Sequence, residues 1–187
     1  NMIIKSSFNQ LEVLFSVDKK TQCIPINLRW DFMYDFYDFL MQRRERIARA
    51  NMNKLFASTC GEVKRRINDL QKGKYTAGTK HLFKQHGYDT KNAMHAVRLI
   101  NLWNMLYNKI PLESAFTNRI FNIDYLAIKN GKYDLTTILD MIISLEQRYL
   151  IPLLNIDLTY HSIDTNNLLN KMNTYIFNIV RKNINGN

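Results

Sequence analysis

The chain is poor in the residues that staple or punctuate small folds. It has two cysteines, Cys23 and Cys60, in 187 residues. They can build neither a disulfide framework nor a cysteine zinc site, and two reduced thiols in a cytoplasmic protein are the expectation. Six glycines and three prolines are too few for an all-β chain built on tight turns. Long apolar runs are missing too. The most apolar window, residues 135–154, is interrupted by Asp140, Glu146 and Arg148, whereas a membrane span needs roughly 20 largely apolar residues. The start, Asn1-Met2-Ile3-Ile4-Lys5, lacks a basic segment leading into an apolar one, so no secretion leader is expected. There is no G-x-x-x-x-G-K-[ST] loop, no G-x-G-x-x-G, no G-x-S-x-G elbow and no Cys/His cluster at zinc spacing. A stand-alone hydrolase or dehydrogenase therefore has no support, and neither internal repeats nor low-complexity segments are visible.

What is present is apolar mass and positive charge. Hydrophobic residues make up 46% of the chain and aromatics 12%, enough for a core and against whole-chain disorder. Lys and Arg number 26 against 16 Asp and Glu, a net charge of +10. The excess is localised. Residues 29–98 hold fifteen bases and seven acids, net +8, while residues 1–28 and 99–187 each carry net +1. A uniformly solubilising surface would not concentrate charge in this way, and a basic band is the electrostatic footprint of polyanion binding. The competing reading is a solvated basic face.

Periodicity divides the chain into one short strand and several helices. Residues 10–16, Gln-Leu-Glu-Val-Leu-Phe-Ser, read as a buried strand interrupted by Glu12. An acid there must be paired, bind a metal or point to solvent at a sheet edge. From Trp30 the apolar spacing becomes helical. A second helix at about 52–71 carries the stripe Leu55, Phe56, Cys60, Val63, Ile67 and Leu70, with Lys64, Arg65 and Arg66 off that stripe. Residues 71–88 are polar and read as a long loop with room for a short helix; loops of this length tend to be functional or mobile. Asp89 is a fitting N-cap for an apolar helix to about Asn108. On that helix Lys91, His95 and Arg98 stand at i, i+4 and i+7 and share one face. Three potential cations on one stripe of a buried helix call for an anion or for several carboxylates, and the triplet is read as an anion site. Further helices are expected at about 124–130, capped by Gly131, at 135–149 behind Asp134, and from Asp164 to about Lys182.

Three segments carry a resemblance: FNQLEVLFS at Phe8–Ser16, GYDTKNAMHAVRLI at Gly87–Ile100 and IDYLAIKNGKYDLTTIL at Ile123–Leu139. In this order they resemble nucleotidyltransferases of the DNA polymerase β superfamily associated with RNA ligases and RNA repair. That family has a strand with L-E-[LV]-L-F, a helix reading Y-D-x-K-x-A-M-H-x-x-R-L-x-R, and a helix end reading A-I-[KR]-N-G-x-[YW]. The likeness covers about residues 8–150.

The resemblance implies a mainly α protein: a remnant of the nucleotidyltransferase sheet, one or two strands within residues 1–29, followed by a helical bundle over 30–187, basic to residue 98 and neutral beyond. It implies NTP-dependent nucleotidyl transfer to an RNA end, with Mg²⁺ and NTP as cofactor and substrate. Glu12 would take the catalytic, metal-facing place of the third carboxylate. Lys91, His95 and Arg98 would clamp the nucleotide phosphates, and Tyr88 and Asp89 would position the start of their helix. Arg65, Arg66 and Lys64 would meet an RNA backbone, on the charge argument alone.

Two departures stand out. The family's early G-[SG] turn with D-x-D, whose carboxylates bind two Mg²⁺ ions, is absent, and Asn92 stands where the family usually has His. The chain thus resembles the C-terminal two-thirds of the enzyme: a truncated or split product, or a natural variant without chemistry. With one candidate carboxylate, no measurable transfer is expected. The alternative is a non-catalytic module binding nucleic acid or protein, beside a separate subunit carrying the missing D-x-D; the Asn-, Ile- and Lys-rich composition fits an AT-rich genome, such as a phage or a low-GC bacterium. No membrane partner is expected.

Overall fold

In the computed structural model the described residues are 42–111, 114, 123–159, 167, 170–175, 177–178 and 181. They are mainly helical, with no strand among them. The strand expected at 10–16, with Glu12, the sheet remnant and its boundary at residue 29, and most of the helix from Trp30 lie outside the described residues. The chain divides into two compact units, Asn53–Asp157 and the remainder. Of the remainder, residues 42–48 and 170–175 are helical, and Ile47, Ala48 and Met172 are buried.

The unit Asn53–Asp157 is a set of helices around one apolar rod. α1 (Met52–Gln71) enters it and buries Leu55, Phe56, Val63 and Leu70. These belong to the stripe its spacing specifies, while Cys60 and Ile67 are only half-buried. A 3₁₀ turn (Ala77–Thr79) leads into the short α2 (Lys80–His86), the short helix for which the polar stretch left room. α3 (Thr90–Tyr107) is the rod. Val97, Ile100, Trp103, Met105 and Leu106 on it are at most 1% exposed, and each such burial stabilises by about 1.5–3 kcal/mol. α4 (Tyr125–Lys129) and α5 (Leu135–Tyr149) pack against α3. α1 meets α3 where the Phe56 ring lies 4.8 Å from that of Trp103.

The helix starts follow from local chemistry. Asp89 accepts a bond from the Asn92 N–H at 2.9 Å, Asp124 from Leu126 and Ala127, and Asp134 from Thr137 at 2.7 Å. Each satisfies amides that the first turn leaves without carbonyl partners, worth about 1 kcal/mol per cap.

Three helix ends share one pattern. After α1, Gly73 N–H donates to Leu70 O and Lys74 N–H to Asp69 O; after α3, Lys109 donates to Leu106 and Ile110 to Met105; after α4, Gly131 donates to Ile128 and Lys132 to Ala127. This is the paired bond set of a Schellman ending, which requires a left-handed residue at the turn. Gly73 (φ +62°) and Gly131 (φ +67°) supply it without strain, whereas Lys109 adopts φ +59° with a side chain attached.

Two cross-links then lock the corner before α3 onto the α4–α5 turn. The Tyr88 hydroxyl donates to Tyr133 O, and the Thr90 hydroxyl to Lys129 O, both at 2.8 Å. The entry of α3, which carries the sequence-predicted anion residues, is therefore held from two sides.

Candidate anion-binding cleft

Because α1 ends in a Schellman turn, the chain reverses at Gly73 and lays Lys74 and Tyr75 back beside α1. The capping network then leads it into α3. The Thr79 hydroxyl donates to Asp89 and also accepts from the Thr76 N–H at 3.0 Å. Between this segment, the C-terminal half of α1 and the first turns of α3 opens a cleft of about 430 Å³. It lies wholly within the unit Asn53–Asp157.

Four cations line it, Arg65, Arg66, Lys74 and Lys91, against two acids, Asp69 and Asp89. Most of these charges are already engaged. Arg65 donates to both Glu62 oxygens, at 3.0 and 2.7 Å, and to Asp69 at 2.8 Å. The bond from Arg65 holds the Glu62 carboxyl below the usual carboxylate range, and the same contact raises Arg65. Arg66 donates to Glu62 and to Asn92 Oδ1, both at 2.7 Å. Its side chain is only 12% exposed, burial lowers its pKa, and its Nε is buried with no hydrogen-bond partner. Lys74 lies 3.8 Å from Asp69. Lys91 is exposed and has no ion pair among the described residues.

His95 completes the wall. Its pKa falls to about 4, first because it is half-buried, then because Arg66, Arg98 and Lys91 repel a further positive charge, with Asp89 alone opposing them. At neutral pH it is an uncharged imidazole with one ring nitrogen able to accept and one to donate. A bound anion would offset the neighbouring cations and restore its basicity.

At the mouth stands Tyr75, 45% exposed, its ring centroid 4.6 Å from that of Phe83 on α2. Aromatics so placed in a cationic cleft offer a flat apolar surface beside charge.

Of the sequence-predicted residues, Lys91, His95, Asp89, Arg65 and Arg66 meet at this cleft. Asp89 is a capping carboxylate, both of its oxygens engaged. Arg98 does not line the cleft but adds to the positive field on His95. Tyr88 is buried, with its hydroxyl bonded to Tyr133 O, so it positions the helix start and does not reach the cleft. Lys64 is exposed and faces elsewhere. Glu12 lies outside the described residues.

Lys74, Tyr75, Thr76 and Thr79 were not anticipated, because no helical spacing marks a loop residue. The only sequence signal was the cation–aromatic pair Lys74-Tyr75 between two glycines. Asn92, noted as a departure from the family pattern, accepts the Arg66 bond.

The described residues do not fit an Mg²⁺ site. No group of three or more His, Cys, Asp or Glu among them is placed to hold a metal. The two carboxylates in the cleft are spent on Arg65, Lys74, Thr79 and the α3 cap. Cys60 is free and half-buried, and burial with help from Glu146 pushes its thiol up to about 11. It stays protonated and poorly nucleophilic at neutral pH. Among the described residues no helix is long and apolar enough to cross a membrane. No protein-family model, curated protein or solved structure matches the chain.

Proposed function

We propose that this chain is the nucleotide-handling helical part of a nucleotidyltransferase-like protein of the polymerase β type acting on RNA ends. In this reading the cleft between α1 and α3 receives phosphate groups. One observation carries it: Lys91 and His95 from α3 converge with Arg66 from α1 on one cleft, and Lys91 is exposed there with no ion pair among the described residues. Transfer from NTP with Mg²⁺ belongs to the full enzyme this reading invokes; to the described residues we assign binding and orientation of the phosphates. Glu12 remains its candidate metal carboxylate, and RNA its partner.

Tripolyphosphate titrated into the protein by calorimetry is the direct test. The wild type is expected to bind, and Lys91→Ala to bind roughly tenfold more weakly, the loss of one charge-assisted contact. Equal binding by the two proteins would remove the cleft from the argument. A transfer assay with labelled NTP, Mg²⁺ and an RNA acceptor tests the chemistry separately.

The alternative, a non-catalytic module gripping nucleic acid along the basic band, is favoured by the net +8 of residues 29–98. Against the specific stripe Lys64-Arg65-Arg66 stands the compensation of both arginines by Glu62 and of Arg65 by Asp69. Paired cations of this kind contribute less to phosphate binding than free ones.

A further inference from the structure

Resting on the phosphate reading of the cleft, we infer that its ligand is a mononucleotide whose base stacks on Tyr75. The segment following α1 is built to present this ring. The Schellman turn at Gly73 fixes where the chain leaves the helix, and the Thr76–Thr79 capping bonds fix where it re-enters the next turn. Phe83 supports the ring from α2 at 4.6 Å. Tyr75 is therefore held at both ends of its segment and backed by a second aromatic, yet 45% of it stays exposed. It lies in the same cleft as Lys91, His95 and Arg66.

The arrangement has two chemically distinct ends. Cations and a hydrogen-bonding imidazole suit phosphate oxygens. A supported ring face suits a nucleobase, whose stacking on an aromatic is worth a factor of about ten or more in affinity and tolerates any base. A volume of about 430 Å³ is in the range of small-ligand sites and favours one nucleotide over a strand.

Binding of ATP and of tripolyphosphate is compared for the wild type, Tyr75→Ala, Tyr75→Phe and Lys91→Ala. ATP is expected to bind the wild type about tenfold more tightly than tripolyphosphate. Tyr75→Ala erases that advantage while leaving tripolyphosphate affinity unchanged, Tyr75→Phe keeps it, and Lys91→Ala weakens both ligands. Tyr75 is a half-exposed loop residue, so the substitutions leave the helices intact, which circular dichroism checks.

If ATP and tripolyphosphate bind equally and Tyr75→Ala is silent, the stacking site is overturned while the phosphate reading stands. If neither ligand binds, both fall. A single-stranded oligonucleotide that binds tenfold tighter than ATP, and loses that gain in Tyr75→Ala, overturns the mononucleotide assignment in favour of a strand.

Discussion

His95 shows how a residue's neighbours decide its chemistry. Read as one of three cations on a helix face, it is in fact held neutral by burial and by the other two, together with Arg66. Its folded pKa, about 4, lies below its ordinary 6.5. Between these values the unfolded chain binds a proton that the folded chain refuses, so this group's contribution is complete above pH 6.5 and is lost as pH falls toward 4. Glu62 and Asp134, whose pKa values are also depressed, lose their contributions only below their ordinary carboxylate range. Among the described groups with shifted pKa values, the window from pH 6.5 to 5 therefore isolates His95. Urea midpoints for the wild type should drop across that window, and those of His95→Gln should change much less. Parallel curves would mean that His95 is freely solvated. The same field bears on Lys91, the exposed cation of the set, whose removal should weaken phosphate binding more than its surface position suggests.

At the scale of elements, three helices end with the same pair of bonds and differ in the residue at the left-handed position. Lys109 stands there with φ +59° where Gly73 and Gly131 stand elsewhere. A Cβ in that conformation costs about 1–2 kcal/mol, partly offset by the greater entropy glycine loses on folding. Lys109→Gly should therefore stabilise by roughly 0.5–1 kcal/mol in denaturant melts. Gly131→Ala should do the opposite. The added methyl meets both the positive φ and the His86 ring packed directly against it, a combined loss of roughly 2–4 kcal/mol. If Gly131→Ala were neutral, the packing of the α2 end against the α4–α5 turn would be wrong. Two of the three caps were readable in advance: Asp89 and Asp134 each precede an apolar run, and a side chain that bonds its own next turn needs no tertiary information, whereas Asp124 was expected inside its helix and proves to be its cap.

For the molecule as a whole, α3 is the axis of the unit Asn53–Asp157, touched by α1 through Phe56 and Trp103 and packed by α2, α4 and α5. Amides from Ala96 to Leu106 should therefore be the slowest to exchange with solvent, measured by native-state hydrogen exchange, while those of Lys74 and Tyr75 exchange early. Slow exchange confined to α1 would place the core elsewhere. The sequence by itself determined the helical class, the caps Asp89 and Asp134, the span of α1 and α5 and the apolar character of α3, because each depends on spacing or on a bond within one turn. It also put Lys91 and His95 on one face. The pairing of Arg65 with Glu62 and Asp69, one turn away on α1, was likewise legible in the spacing. Only the tertiary structure decided which cations meet at the cleft: Arg66 crosses to Asn92, Tyr88 turns inward to Tyr133, and a loop without periodicity brings Lys74 and Tyr75 to it. Local bonds are written along the chain, but the charge a ligand meets is set by what folding places within a few ångströms.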